Sequence, residues 1–301
     1  MSNSGDTGVT AAIDLGGTNV RAAVVDAQGV IIAQDRVPTP VESPDTSFLQ
    51  QLLSRVCAQA DVTPLRAVVG LPGVIDHETE ELLAAPNLPQ AWIPLLTDQR
   101  LEQELQCVVS LANDADLAAV GEATFGAGRD YRDVVYITIS TGVGAGVVVG
   151  GKLMKGRLSG GEIGHSIVDF SAAQEGEPAT VEEIGSGTAI AKAAATAGLG
   201  VEGADFVALV QSGHEPATSI WRRAMTAIGV GLVNMAWLVP PEVIVLGGGV
   251  GRNHDLVAPV IVEQLRRFGP EHAAAIDVRT AELGDDAALV GAVRWWEAIG
   301  R

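Results

Sequence analysis

The chain has 301 residues, 47% of them apolar and 19% charged, and its 19 Lys and Arg against 37 Asp and Glu give a net charge of −18. That is enough chain for one large or two ordinary domains with buried cores, and the composition excludes a disordered polymer. So acidic a balance offers no cationic face to nucleic acid or to an anionic membrane, and any bound phosphate must be met by backbone N–H groups and a divalent cation.

The first forty or so residues read as three strands, "TAAID", "RAAVVD" and "GVIIAQDRV", with "AQG" as the second turn. A helical pattern follows from Phe48 to Ala60, with Phe48, Leu52, Leu53 and Val56 on one face. "LRAVVGLPG" is a buried strand ending in a turn, and "CVVSLAND" is another, leading into the helix "ADLAAVGEATF". The apolar segments "DVVYITIST" and "GAGVVVGGKLM" read as a hairpin closed at Gly150-Gly151. After the glycine-rich "LSGGEIGHSIVDF" come helices at Gly187–Thr196, at Phe206–Gln211 and from about Pro216 to Leu238. The strand "PEVIVLGGGVG", a helix from Asn253 to Phe268, the strand "AIDVRT" and a helix from Asp286 to Ile299 complete the chain. Strand clusters thus occur twice, each followed by helices, as expected of an α/β chain with two similar halves flanking a cleft and hinges near Asn113 and Asp285.

Cys57 and Cys107 have no metal-ligand spacing and read as reduced, apolar thiols. "MSNSGDTG" has neither the basic nor the apolar region of a signal peptide, and no apolar run reaches the ~18 residues of a membrane span. The expectation is a cytoplasmic protein.

Two apparent phosphate motifs are misleading. "GVVVGGKL" satisfies most of a P-loop pattern, but its valines favour a strand and Leu153 stands where the magnesium-binding hydroxyl belongs. "GLGVEG" follows a helix rather than a strand and reads as a C-cap and loop. Three other glycine turns do follow apolar strands: "DLGGTN", "STGVGAG" and "LGGGVG". Glycine lets backbone approach a ligand and aim successive N–H groups at an anion. Gly16, Gly17, Thr18 and Asn19, then Thr141 and Gly142, then Gly247, Gly248 and Gly249 are therefore the candidate nucleotide cradle. Asp14 at the mouth of the first turn would repel a phosphate unless Mg²⁺ lies between them; otherwise it caps its own turn.

"DLGGTNVRAAVVD", "GLPGVID", "AND", "STGVGAG", "GGEIGH" and "VIVLGGGV", in that order from Thr10 to Ile299, resemble the sugar kinases of the ROK family, within the actin/hexokinase-like ATPase superfamily. The resemblance implies a two-lobe ribonuclease-H-like fold with a central cleft that closes over ATP and a hexose. Residues 1–112 with 285–301 would form the small lobe and 113–284 the large one. It further implies a dimer or tetramer.

Phosphoryl transfer to a sugar hydroxyl needs in-line positioning, charge neutralisation and a base. Asn113-Asp114 ends a buried strand; on spacing alone the pair serves equally as a helix N-cap. The resemblance makes Asp114 the base and Asn113 a sugar ligand. It also assigns Glu162, His165 and Glu182 to the sugar, with Glu183 one residue away as the competing choice. Gly73 would let backbone reach the sugar. Many ROK proteins carry a cysteine-rich zinc segment between the histidine and the following glutamate; here "SIVDFSAAQEGEPATVEE" contains no cysteine, so no structural zinc is expected and sugar preference is left open.

The leading expectation is an ATP- and Mg²⁺-dependent 6-kinase for glucose or an amino analogue. N-acetylmannosamine, N-acetylglucosamine, mannose, fructose and kanosamine are alternative acceptors. A polyphosphate donor would call for a basic track, which the charge does not support. A sugar-responsive regulator would carry a DNA-binding segment before the first glycine turn, and here nine residues precede the strand that leads into it.

Overall fold

The computed structural model describes residues 8–40, 42, 45–79, 81–85 and 88–300. The reading of "MSNSGDTG" therefore lies, except for Gly8, outside the described residues. Among the described residues no helix is long and apolar enough to cross a membrane.

The first sheet joins β1 (Val9–Leu15), β2 (Asn19–Asp26), β3 (Ile31–Pro38), β4 (Arg66–Leu71) and β7 (Val108–Asn113) in the order β3-β2-β1-β4-β7. β1–β3 form an antiparallel meander, while β1, β4 and β7 run parallel. Helices α1 (Ser47–Ala60) and α2 (Asp98–Leu105) connect the parallel strands, and a small hairpin, β5 (Val74–Asp76) with β6 (Glu81–Ala84), follows β4. The sheet is apolar on both faces because alternate residues supply two cores. Ala11, Ile13, Leu15 and Val24 pack with Leu49, Leu52 and Val56 of α1 on one side. Ala12, Ala23, Val25, Val68 and Ala112 pack on the other with Leu117 and Val120 of α3 (Asp114–Thr124) and with Leu289 and Trp295. Trp295 is fully buried, and its indole N–H donates to Ser110 Oγ at 3.0 Å.

The second sheet repeats the plan. β8 (Val134–Ile139), β9 (Val143–Val149), β10 (Lys152–Leu153), β11 (Val243–Gly247) and β12 (Asp277–Thr280) lie in the order β10-β9-β8-β11-β12, with β8, β11 and β12 parallel. Counted within its own half, each sheet has the strand order 3-2-1-4-5. The two halves expected from the sequence are therefore a duplicated topology. Between β10 and β11 run the short helices α4 (Phe170–Glu175) and α5 (Val181–Gly185), then α6 (Gly187–Thr196), α7 (Gly203–Gln211) and α8 (Glu215–Leu238). Buried Ala217, Trp221, Ala224, Ile228, Leu232 and Ala236 recur at helical spacing along α8. A single turn, α9 (Gly248–Gly251), precedes α10 (His254–Phe268), and α11 (Ala287–Gly291) and α12 (Trp295–Ala298) close the chain.

Two local expectations change. Gly150 and Gly151, at φ +60° and +77°, close the hairpin of β9 with β10, whereas β8 turns into β9 at 140–142, where Ser140 N–H donates to Gly142 O at 2.9 Å. Consecutive positive φ values suit a two-residue hairpin turn, so the glycine pair serves the shorter hairpin. The helix expected over 286–299 is broken into 3₁₀ and α turns. Packing there is close: Gly121 of α3 and Gly291 of α11 meet backbone to backbone, and a Cβ at either would collide with Ala287 O or Leu117 O.

The chain forms two compact units, residues 1–132 with 146–160 and 282–301, and residues 133–145 with 161–281. This division differs from the expected lobes mainly in placing α3 and residues 146–160 with the first sheet. The physical reason is packing: α3 supplies one of that sheet's two cores.

Candidate functional site

In the first unit the candidate residues sit at the C-terminal ends of adjacent parallel strands. Asp14 pairs with Gly70 across β1–β4, and Leu71 with Asn113 across β4–β7. That edge is where open α/β sheets place ligands. Gly16 N–H donates to Asn19 O at 3.0 Å, closing a tight turn, and Thr39 secures it by donating from Oγ1 to Gly16 O at 2.6 Å and from N–H to Thr18 O at 2.9 Å. Thr18 and Asn19 are exposed on this turn. Asp14 does not cap its own turn. Its Oδ2 accepts from Arg21 Nε at 3.2 Å and from Nη2 at 2.6 Å, and Arg21 also reaches Asp286 Oδ1 at 3.0 Å.

Asn113 fills two roles at once. Its Oδ1 accepts from Ala115 N–H at 2.9 Å and Asp116 N–H at 3.1 Å, so it is the N-cap of α3. Its Nδ2 donates to Gly73 O at 2.9 Å. Gly73 has φ +141°, and a Cβ there would collide with Ala84 O, so only glycine suits this position. Asp114 opens α3, where the helix dipole favours its negative charge. Nearby, buried Asp76 accepts from Arg157 Nη2 at 2.7 Å, and that guanidinium holds the Asp76 carboxyl below the usual carboxylate range.

The second unit gathers three separated loops. Glu182 Oε2 accepts from Val143 N–H at 2.8 Å, so it lies against the Thr141–Gly142 turn. A Cβ on Gly142 would come within 2.6 Å of that same oxygen, and one on Gly164 would collide with Val143 O. His165 Nε2 lies 3.8 Å from Glu162 Oε2 on the exposed side of this cluster. Partial burial pushes the Glu162 carboxyl above its ordinary range; His165 opposes the rise and Glu182 adds to it. Glu183 points elsewhere: it accepts from Ala179 and Thr180 N–H, each at 3.1 Å, as the far member of the α5 capping box, which holds its carboxyl down. Of the adjacent pair, Glu182 therefore faces the candidate loops and Glu183 fixes the helix.

The segment between His165 and Glu182 is closed by main-chain pairing. Val168 N–H donates to Ala179 O at 2.8 Å and Val181 N–H to Ser166 O at 2.9 Å, on either side of α4. Among the described residues no group of three or more His, Cys, Asp and Glu could hold a metal ion by itself. Both cysteines are free thiols.

The third glycine turn divides by role. A Cβ on Gly247 would collide with the Tyr136 hydroxyl, and Gly248, at φ +79°, lies against Ile139 O. Packing requires glycine at those two, whereas a Cβ on Gly249, just after β11, would meet open space.

The ROK family model matches residues 10–299, nearly the whole chain. The chain belongs to the ROK family. Two relatives are similar along their length: a glucokinase of Streptomyces coelicolor is 31% identical, covering 95% of this chain and 96% of its own. An N-acetylmannosamine kinase of Escherichia coli is 32% identical, covering 94% and 96%. Among solved structures, a ROK glucokinase of Streptomyces griseus in complex with glucose and AMPPNP superposes with a TM-score of 0.76 at 31% identity, covering 95% and 98%. The ROK fold, of the actin/hexokinase-like ATPase type, is thus that of the duplicated sheets described above.

Arg21 and Asp286 were absent from the sequence-based set. Arg21 was within reach: residues 14 and 21 face each other in any antiparallel hairpin closed symmetrically about Gly17 and Thr18. Asp286 carried no such signal, because its place depends on a contact 265 residues away in the chain.

Proposed function

We propose that this chain transfers the γ-phosphoryl group of ATP to the 6-hydroxyl of glucose or a glucose-like amino sugar. At the coarser level it is a sugar kinase of the ROK family. The observation that carries the finer reading is the Asn113–Gly73 hydrogen bond beside Asp114. It ties the end of β7 to the turn after β4 and places a carboxylate on the first residue of α3.

In this reading Asp114 accepts the proton of the 6-hydroxyl as its oxygen bonds to the γ-phosphorus, and the bond to the β-phosphate oxygen breaks, releasing ADP. Gly73, Asn113, Glu162, His165 and Glu182 hold the sugar: carboxylates accept from its hydroxyls, and amide and imidazole do both. Asp14, Gly16, Gly17, Thr18 and Asn19, with Thr141, Gly142, Gly247, Gly248 and Gly249, belong to the nucleotide. A magnesium ion carried by a nucleotide needs one or two protein oxygens, and the Asp14 carboxylate at the strand end fits that need. When bound, the ion neutralises charge on the phosphates. An assembly of two or four copies and a cytoplasmic location belong to the same proposal.

A second acceptor, N-acetylmannosamine, is supported by the likeness to the E. coli kinase named for it. The test is ADP release from Mg·ATP with glucose, mannose, fructose, N-acetylglucosamine, N-acetylmannosamine and 3-amino-3-deoxyglucose. Turnover greatest on glucose or the amino analogue supports the proposal. Turnover confined to N-acetylmannosamine replaces the acceptor, and silence with every sugar overturns the kinase reading.

A further inference from the structure

A carboxylate at the mouth of a phosphate-binding turn needs a partner of opposite charge, and the first unit already contains one. Arg21 lies directly opposite Asp14 in the β1–β2 ladder. Its guanidinium commits Nε and Nη2 to Asp14 Oδ2, Nη1 to Asp286 Oδ1, and Nη2 also to the main-chain oxygen of Asp285. About four-fifths of each side chain of the Asp14–Arg21 pair is shielded, so solvent screens the pair only weakly.

Arg21 is also held from behind. Asp285 and Asp286 follow Glu282 and Leu283, whose N–H groups donate to the buried Glu122 carboxylate at 3.1 and 2.8 Å. Glu122 accepts from Ala127 N–H at 2.9 Å as well, so this turn is anchored to the end of α3. With its fork spent on Asp14, Asp286 and Asp285, Arg21 is placed to act on a phosphate by charge rather than by contact.

We infer that Arg21 is a positioning residue and the resident counter-charge that lets the Gly16–Asn19 turn accept a nucleotide phosphate beside Asp14. It orients the Asp14 carboxylate, and it leaves Asp14, Arg21 and Asp286 together with one net negative charge instead of two. The inference rests on the kinase reading above and adds a residue to it. It predicts that part of the nucleotide affinity survives without a divalent cation.

The test is calorimetric titration of the full chain with ADP, in excess Mg²⁺ and again in EDTA, for wild type, Arg21→Gln, Arg21→Lys and the double variant Asp14→Asn/Arg21→Gln. Arg21→Gln is expected to weaken ADP binding about ten-fold or more in EDTA and less than that in Mg²⁺, because the metal supplies the missing charge. Arg21→Lys keeps the charge and should stay within a few-fold of wild type in EDTA. Adding Asp14→Asn should recover most of the EDTA loss, which a purely structural defect would not do. Equal losses in both buffers, or Arg21→Lys as weak as Arg21→Gln, would overturn the inference. So would wild type that binds ADP only with Mg²⁺. Wild type that binds ADP in neither buffer would overturn the kinase reading itself, a result distinct from the others.

Discussion

Asn113 and Gly73 are joined by a 2.9 Å hydrogen bond from a side-chain amide to a main-chain carbonyl, while the other end of that amide caps α3. One side chain therefore sets both the start of the helix bearing Asp114 and the path of the chain after β4. Asn113→Asp retains an acceptor for the cap but loses the donor to Gly73. It should keep the helix cap and raise the sugar KM about ten-fold, the scale of one lost hydrogen bond. Asn113→Ala loses both and should lower the unfolding free energy by about 1–2 kcal/mol. Urea melts and sugar titrations of the two variants separate the roles; equal sugar KM in wild type and Asn113→Asp would remove the Gly73 tie from binding.

Asp114→Asn keeps the size and the position at the first residue of α3 but cannot take a proton. Turnover should fall about 10²- to 10⁴-fold, with sugar affinity within a few-fold of wild type. Single-turnover rates and calorimetry measure the two quantities. A variant that turns over normally removes Asp114 from the base role.

Glu162 links binding to stability. Burial raises its carboxyl above the ordinary value, so folding favours the protonated form. Its stabilising contribution is complete below the unfolded pKa and is lost as pH rises through the raised value. Glu162→Gln removes that loss. At pH 7 the variant should match or exceed wild type by up to about 0.5 kcal/mol, since the side chain is partly exposed, and the advantage should shrink toward pH 4. Sugar affinity should fall about ten-fold. Melting curves from pH 4 to 8 check the first expectation, and a variant less stable at pH 7 than at pH 4 relative to wild type contradicts it.

Cys107 should be a poor nucleophile. Burial, with smaller contributions from Cys57 and Glu102, pushes its thiol up to about 11. At pH 8 its thiolate fraction is then about a hundred-fold or more below that of an ordinary cysteine. Maleimide labelling read by mass spectrometry should show both thiols slow in the folded chain and fast in urea. Rapid labelling of Cys107 in the native protein would contradict the burial.

Much of the fold was legible because its signals are local. Gly187–Thr196 was bounded by Ser186, which caps it, and the apolar strands that end in glycine turns declared the two sheets. The region from 166 to 183 was not legible, since its order comes from pairing Val168 and Ser166 with Ala179 and Val181 across an intervening turn of helix. Nor did the sequence separate the glycines. Gly247 and Gly249 look alike in "LGGGVG", yet Tyr136 requires the first while the second faces open space. Glu182 and Glu183 look alike in "VEEIG", yet the Thr180 capping box recruits the second while the first lies against the Thr141–Gly142 turn.

The burial of Trp295 against Ser110, among residues of β1, β2, β4 and β7, sets a timetable for biosynthesis. The first unit takes its last stretch from residues 282–301, whereas the second is complete at 281. On the ribosome, then, β1, β2, β4 and β7 must wait for residues 282–301, exposing one apolar sheet face while the second unit is able to fold. Messages cut short after 281 would leave the early half, not the late one, to be recognised by chaperones and degraded.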